Sequence, residues 1–222
     1  MNLGNKLRFG LCSFVVVLLA GCATYEAVEL ANEVTYLRKN PPSETLCMDD
    51  WGQEPWKRGS SAGELNTDMV QYVRPPETVE NWTELLTMRT EWRTSKVYTY
   101  SGGATFSVVP DPSVIMDATK LSAQTRCANP ITFRKLDEDR TGPYPSVIFY
   151  VACDKYPSTT PSLPTAEADV YRIFQGKHGL HMLILARRSA SLDEKTLNDW
   201  TQYLRRFHVC GNKLPGQERG KK

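Results

Sequence analysis

The strongest hydrophobic pattern in the chain lies near its C-terminus and has the spacing of an α-helix. Large apolar residues recur there every three or four positions, at Leu197, Trp200, Leu204 and Phe207. Positions three and four apart share one face of a helix, so this spacing predicts a helix that buries one side. The preceding Ser191-Leu-Asp-Glu194 matches a capping box and predicts where that helix begins.

Four segments before this helix have patterns typical of β-strands and predict two hairpins. These segments are residues 131–136, 146–153, 168–174 and 180–187. The first pair flanks a turn-rich stretch, residues 137–145, and the second flanks Gly176-Lys-His-Gly179. Residues 180–186 are apolar at both alternating positions, which predicts a central strand covered on both faces.

The middle of the chain predicts two more strands and a second helix. Residues 69–73 predict a short strand, and the alternation and threonine content of residues 82–92 favour another. Asp111 and Pro112 are the residue types preferred at the N-cap and first position of a helix. The predicted buried face of that helix holds Val114, Ile115, Ala118 and Leu121. This order of elements predicts an α+β fold, an antiparallel sheet with helices packed on it.

The N-terminus has the three parts of an export signal. Lys6 and Arg8 precede an apolar run, residues 11–20, which is far shorter than the roughly 20 residues needed to span a bilayer. The run closes on Leu19-Ala20-Gly21-Cys22. This tetrapeptide resembles the lipobox of bacterial lipoproteins, a family in which the cysteine is acylated and the chain is cut directly before it.

The lipobox resemblance implies a lipidated Cys22, carrying palmitate-type chains, that holds the protein in a membrane. Several acyl chains anchor a protein stably, because each buried methylene contributes about 0.8 kcal/mol. By the same resemblance, Ala23 in place of aspartate after the cysteine favours the periplasmic face of the outer membrane. The inner membrane and the cell surface stay open as locations. The alternatives to lipidation are an ordinary secreted protein cut nearby and an uncleaved apolar anchor.

The charge of the exported chain argues against one class of partner. The full chain has 27 Lys and Arg residues against 25 Asp and Glu residues. Lys6 and Arg8 leave with the signal, and removing these two from 27 leaves 25 basic residues against 25 acidic ones. A neutral chain without a basic stripe gives no reason to expect nucleic-acid binding.

Removal of the signal and lipidation of Cys22 leave four cysteines. An even number of cysteines in an oxidising compartment predicts two disulfides, for which three connectivities are possible. We favour Cys127–Cys153, which flank a predicted hairpin, together with Cys47–Cys210, which would join the two ends of the domain. Buried free thiols are the alternative. The spacing is not that of a zinc site, since no two of these cysteines form a C-x₂₋₄-C pair.

One short motif raises the possibility of hydrolysis. Gly59-Ser-Ser61-Ala-Gly63 matches the G-x-S-x-G pattern, in which the serine needs a buried strand before it and a helix after it. The surrounding residues 47–63 are rich in turn formers and predict a flexible loop instead. A serine hydrolase using Ser61 is therefore an alternative function, and the primary expectation is that the protein is not an enzyme.

The sequence indicates neither a metal site nor a cofactor. His178 and His181 form an H-x-x-H pattern, but residues three apart at a hairpin end point to opposite faces and do not grip one metal. Residues 137–139 with Asp154 could attract a cation, although a solvated hairpin loop is the expected structure. No motif predicts a cofactor or identifies a small-molecule ligand.

Tryptophans supply the remaining candidate chemistry. Trp51 and Trp56 lie in the predicted loop region and are the candidate recognition surface, because exposed tryptophans stack on sugars or anchor protein partners. A carbohydrate-binding module using these two residues is a second alternative function. The competing interpretation is that both residues cap the sheet edge beside Cys47. Trp200, by contrast, is expected in the core.

The segment from Tyr72 to Glu84, with the later cysteines and the C-terminal helix, resembles patterns in envelope lipoproteins of bacteria. The order of elements over residues 68–210 is similar to the Mog1/PsbP-like α/β sandwich, whose members are mostly binding and assembly modules. We therefore expect a signal peptide (1–21), a lipidated tether (22–45), a single α+β domain stapled by disulfides (46–211) and a disordered basic tail (212–222). The expected function is that of a periplasmic binding or assembly module with an envelope protein partner.

Overall fold

The computed structural model describes residues 44–64, 67–92, 98–99, 105–106, 109–156 and 166–211, which all belong to one compact unit. Residues 1–43, which include the lipobox, lie outside the described residues. The predicted tail at 212–222 lies outside them as well. Two residues of the predicted tether, Glu44 and Thr45, are part of the first strand. The described helices are α1 (Pro112–Arg126) and α2 (Glu194–Arg205), with a short 3-10 turn at Trp51–Gln53.

Most of the described residues in regular secondary structure belong to β-strands. The strands, in chain order, are β1 (Glu44–Cys47), β2 (Lys57–Glu64), β3 (Thr67–Val73), β4 (Glu84–Trp92), β5 (Tyr98–Thr99), β6 (Thr105–Phe106), β7 (Thr132–Asp139), β8 (Ser146–Cys153), β9 (Glu167–Gln175), β10 (Gly179–Arg187) and β11 (His208–Gly211). Seven of them form one antiparallel sheet in the order β2-β3-β4-β10-β9-β8-β7. The pairs β1–β11 and β5–β6 form separate two-stranded ribbons.

The centre of the sheet is the strand that the sequence placed there. β10 lies between β4 and β9, with Leu185 opposite Leu86 on one side and Val170 on the other. All but two of its residues are buried, Ile184 and Arg187 being partly exposed. The hairpins β7–β8 and β9–β10 are confirmed, and so are the strands predicted at residues 69–73 and 82–92.

The two faces of the sheet carry different covers. α2 and the β1–β11 ribbon pack on one face, where Leu183, Leu204 and Phe207 are fully buried. α1 packs on the opposite face over β8 and β9, where Phe149 and Ile173 are fully buried. The α+β prediction therefore holds as an antiparallel sheet with helices packed on it.

The C-terminal helix is confirmed, but it begins at a different cap. Leu197, Trp200 and Leu204 are buried along one face of α2, as their spacing predicts. The N-cap is Asp193, whose side chain accepts the backbone N–H of Thr196 at 2.8 Å. The predicted capping box was wrong in starting at Ser191, because a carboxylate two residues later satisfies the first free N–H groups.

The predicted buried face of α1 was mostly wrong, since of its four residues only Ile115 packs against the core. Asp111 caps this helix as expected, accepting the Ser113 backbone N–H at 2.8 Å. Val114 and Leu121, however, are 56% and 62% exposed. The residues that α1 buries are Pro112, Met116 and Ala123. Several faces of this helix carry apolar residues, so contact with β8 and β9 decides which of them is covered.

The four cysteines of the described residues form two pairs at disulfide distance. Cys47 pairs with Cys210 across the β1–β11 ribbon, with Cα atoms 6.0 Å apart. Cys127 follows α1 and pairs with Cys153 at the end of β8, with Cα atoms 5.8 Å apart. These are the two pairs favoured by the sequence.

Candidate functional site

A polar groove of about 310 Å³ lies on the face of the sheet that carries α2. We call it the arginine groove. The six side chains that define it are Trp56, Arg74, Glu84, Arg187, Trp200 and Tyr203. This volume is at the lower end of the range for ligand pockets, and corresponds to a side chain or a short peptide rather than a large cofactor.

Strand pairing gathers the groove residues at one end of the sheet. Arg187 is directly opposite Glu84 in the β10–β4 ladder. Lys57 is opposite Val73 in the β2–β3 ladder, which places Trp56 and Arg74, one residue beyond each, at the same end. α2 then crosses above them and contributes Trp200 and Tyr203, three residues apart on one helix face.

A single carboxylate holds both arginines. Arg74 Nε lies 3.4 Å from Glu84 Oε2, and Arg187 Nη2 donates a short hydrogen bond to Glu84 Oε1. The two arginine side chains are 37% and 30% exposed, while that of Glu84 is 20% exposed. The positive charges therefore lie toward solvent, with the compensating negative charge beneath them.

Each arginine also lies over an indole ring. The guanidinium carbon of Arg74 is 4.1 Å from the centroid of the Trp56 ring, and that of Arg187 is 5.1 Å from the centroid of Trp200. Both distances are within the range of a cation–π interaction. Ring and carboxylate together restrict the conformations of each guanidinium, so the two donor groups are pre-organised.

The rest of the groove wall is polar toward the solvent side. Asp199 lines the groove and pairs with Lys195 Nζ at 2.7 Å, one turn earlier on α2. Burial, with the nearby negative charge of Glu54, raises the pKa of Tyr203. The Tyr203 hydroxyl therefore stays protonated at neutral pH.

The structure separates the two tryptophans of the candidate recognition surface. Trp51 packs edge-on against Tyr72 and Phe207, with ring centroids 4.8 and 5.9 Å apart, and contributes to the core. Trp56 lines the arginine groove, where its neighbour across the groove is Trp200. Trp200, which the sequence predicts in the core, therefore also lines the groove.

Ser61 lies on an edge strand, not in a flexible loop. β2 spans the whole Gly59–Gly63 motif and pairs with β3, with Ser61 opposite Val70. The loop prediction was wrong because glycine and serine have little intrinsic preference for a strand, yet here they form one by pairing with the neighbouring strand β3. A G-x-S-x-G serine on an exposed strand lacks the strand–turn–helix geometry that a nucleophile needs.

The two histidines of the H-x-x-H pattern are not brought together. His178 is exposed in the β9–β10 turn, whereas His181 is fully buried on β10. His181 Nδ1 lies 3.1 Å from Thr90 Oγ1, and its Nε2 lies 3.9 Å from the carboxylate of Glu44. His181 thus belongs to a buried polar cluster under the hairpin.

Glu44 organises that buried cluster. Its carboxylate accepts the backbone N–H of Lys177 at 2.9 Å and that of His178 at 3.2 Å. Burial opposes ionisation, but the hydrogen bonds from His181, Lys177 and His178 outweigh it and lower the pKa of Glu44 to about 2. This contact joins β1 to the turn between β9 and β10.

The acidic residues of the β7–β8 hairpin are engaged in local contacts. Asp137 pairs with Arg205, and Glu138 pairs with Lys135 and Arg140. Asp154 lies at the opposite end of the hairpin, beyond the Thr132–Ala152 pair. Within the described ranges, no group of three or more His, Cys, Asp and Glu side chains is arranged to hold a metal.

A second set of carboxyl groups lies on the α1 face of the sheet. Asp169 is buried, and its Oδ2 accepts the hydroxyl proton of Tyr171 at 3.1 Å. Burial, reinforced by the charge of neighbouring Glu167, raises the pKa of Asp169. Asp169 is 5% exposed, so a substrate would not reach its carboxyl group without local opening.

Sequence reasoning missed the arginines and the carboxylate of the groove. Glu84 and Arg187 are 103 residues apart in the chain, and neither belongs to a recognisable motif. The alternation within residues 82–92 assigns Glu84 to the same face as Leu86, the core face of β4. A charged residue on an apolar face was the one available signal.

The chain matches no protein-family model, and a search of curated proteins gave no match either. In the part of the chain that the structure describes, no helix has the length and apolar character needed to cross a membrane.

Proposed function

We propose that this protein is a lipid-anchored periplasmic lipoprotein that binds a partner of the bacterial envelope through the arginine groove. The observation that carries the binding role is the pair of guanidinium groups, each held over an indole ring and both bridged by Glu84. Arginine and tryptophan are the residues most enriched among binding hot spots. Two partly exposed arginines, each held against a tryptophan ring, therefore make a suitable recognition surface.

Two further features support export and anchoring, and a third supports binding. The tetrapeptide Leu19–Cys22 has the lipobox pattern and follows a basic and then an apolar segment. The two cysteine pairs at disulfide distance suit an oxidising compartment such as the periplasm. A Mog1/PsbP-like sandwich, a fold used mostly by binding and assembly proteins, is part of this proposal, and the antiparallel sheet with a helix on each face supports it.

The groove favours partner binding over the two alternative functions. A sugar stacks on an open indole face, whereas an arginine covers one face of both Trp56 and Trp200. A hydrolase needs Ser61 beside a general base. In the described residues, Ser61 lies on an exposed edge strand and the buried His181 lies on the central strand of the sheet.

The anchor is tested by replacing the acylated residue. In the Cys22→Ser variant we expect no incorporation of labelled palmitate and release of the protein from the membrane fraction, because serine offers no thiol for acylation. The Cys12→Ser variant is the matched control, since its substitution lies before the cut and leaves Cys22 intact. Palmitate labelling that persists in Cys22→Ser contradicts the anchor.

The binding role is tested by photo-crosslinking in intact cells. A photoreactive amino acid at Asp199, on the groove wall, should give a discrete adduct with an envelope component. The same amino acid at Gln202, exposed on α2 outside the groove, should not. Arg187→Gln combined with the Asp199 probe should reduce that adduct strongly. Equal yields at positions 199 and 202, or a yield that ignores Arg187→Gln, would reject the groove as the binding site.

A further inference from the structure

We propose that the arginine groove binds the carboxylate of an acidic peptide segment in the partner. This inference rests on the proposed function and specifies the chemistry of its ligand. It follows from the donors that the groove presents, the charges that surround them, and the aromatic surfaces that hold them in place.

The groove presents hydrogen-bond donors in excess of acceptors. Each guanidinium group has five N–H donors and no acceptor. Among the described residues, the side chain of Arg74 reaches Glu84 only through Nε, and that of Arg187 only through Nη2. Both side chains are partly exposed, which leaves their remaining N–H groups able to donate to an incoming acceptor.

The indole rings make these donors a fixed site instead of two mobile side chains. Arg74 is held between Trp56 and Glu84, and Arg187 is held between Trp200 and the same carboxylate. A planar fork that is already oriented loses less conformational entropy when it binds a planar carboxylate. Bidentate pairing of guanidinium and carboxylate is the geometry that such a fork favours.

The local charge favours a carboxylate over a phosphate. Arg74 and Arg187 carry two positive charges, and Glu84 and Asp199 carry two negative charges in the same groove. A phosphate would bring close to two negative charges beside those two carboxylates. A carboxylate brings only one negative charge. Lys195, bound to Asp199 at 2.7 Å, offsets the negative charge of Asp199.

The groove walls accommodate the rest of a peptide. The rings of Trp56 and Tyr203 offer partly exposed apolar surface beside the guanidinium groups. The volume of about 310 Å³ admits an acidic side chain with a flanking residue. Aromatic surface beside paired arginines suits a peptide, which presents apolar and charged groups together.

The test uses the full chain solubilised in detergent, with its tryptophans labelled with ¹⁵N at the indole nitrogen. The probe is an acetylated and amidated tetrapeptide with two glutamates, and its glutamine counterpart is the control ligand. Inorganic phosphate is titrated in a separate arm. The indole signals of Trp56 and Trp200, assigned by replacing each with phenylalanine, report binding in the groove.

The matched control variant is Arg188→Gln. Arg188 is adjacent to Arg187 in the chain and lies over the Trp82 ring at 4.5 Å, but it does not line the groove. We expect the glutamate peptide to shift the Trp56 and Trp200 signals in a saturable manner and the glutamine peptide to leave them unchanged. Arg74→Gln and Arg187→Gln should weaken binding about tenfold to a hundredfold, and Arg188→Gln should not. Thermal melts of all three variants show whether they remain folded.

Three results would overturn the inference. They are equal binding of the glutamate and glutamine peptides, peptide affinity that ignores both Arg74→Gln and Arg187→Gln in folded protein, and phosphate affinity equal to or above that of the peptide. If any of these occurs while the crosslink at position 199 still depends on Arg187, the binding function stands and only the acidic ligand is wrong. If the crosslink at position 199 does not depend on Arg187, the binding function itself is rejected.

Discussion

Replacing Trp200 with alanine is expected to lower the free energy of unfolding by about 3–5 kcal/mol. The indole is 8% exposed and belongs to the core between α2 and the sheet, with the Arg187 guanidinium over it. Truncation removes buried apolar surface and leaves a cavity that the rigid sheet does not fill. It also deprives Arg187 of its stacking partner. Chemical denaturation of the wild type and the variant measures the loss.

Two surface variants serve as controls for that experiment. Gln202→Ala changes an exposed position on the same helix, and Ser61→Ala changes an exposed position on β2. Both should stay within about 0.5 kcal/mol of the wild type, as surface substitutions usually do. An esterase assay on the same samples tests the hydrolase alternative. A loss below about 1 kcal/mol for Trp200→Ala would contradict the burial of this side chain, and wild-type turnover abolished by Ser61→Ala would make the protein an enzyme.

Replacing Glu44 with glutamine is expected to destabilise the protein by about 2–3 kcal/mol at pH 7. The ionised carboxylate accepts two backbone N–H groups of the β9–β10 turn and lies beside His181. Those contacts lower its pKa from an ordinary 4.5 to about 2. Glutamine keeps one acceptor oxygen but loses the charge, and part of the interaction survives.

The same substitution should change how stability depends on pH. A carboxyl group with a lowered pKa in the folded state stabilises the fold fully above its unfolded pKa and loses that contribution as pH falls toward the folded value. The difference between wild type and Glu44→Gln should therefore be present above about pH 5 and shrink between about pH 5 and 2. Urea unfolding across this range measures it, with the exposed Glu80→Gln as the control. A difference that is independent of pH would show that the charge of Glu44 does not stabilise the fold.

Local patterns predicted the elements that a short stretch of chain can specify. Residues 180–186 are apolar at both alternating positions, which predicted a central strand, and both faces of β10 are covered in the structure. The stripe of Leu197, Trp200 and Leu204 predicted α2 because one helix side meets the sheet. Each of these patterns is complete within a short stretch of sequence, so it can be recognised without knowing what packs against it.

Two predictions were wrong where local signals were weak or ambiguous, the loop at β2 and the buried face of α1. β2 contains Gly59–Gly63, a composition typical of loops, and it is a strand because β3 provides a ladder beside it. α1 carries apolar residues on more than one side, and the sheet covers Met116 while Val114 stays exposed. Local propensity is a fraction of a kcal/mol per residue, and tertiary packing outweighs it.

The sequence by itself determined the hairpins, the central strand and the C-terminal helix, because these depend on residue types repeated over short distances. It favoured the two cysteine pairs without deciding between the three possible connectivities. Only the tertiary structure decided the arginine groove. Arg187 meets Glu84 through strand register, and Trp56 meets Arg74 at the end of the β2–β3 ladder. Register between strands far apart in the chain is set by the packing of the whole sheet. No sequence motif at Glu84 or Arg187 therefore predicts the site.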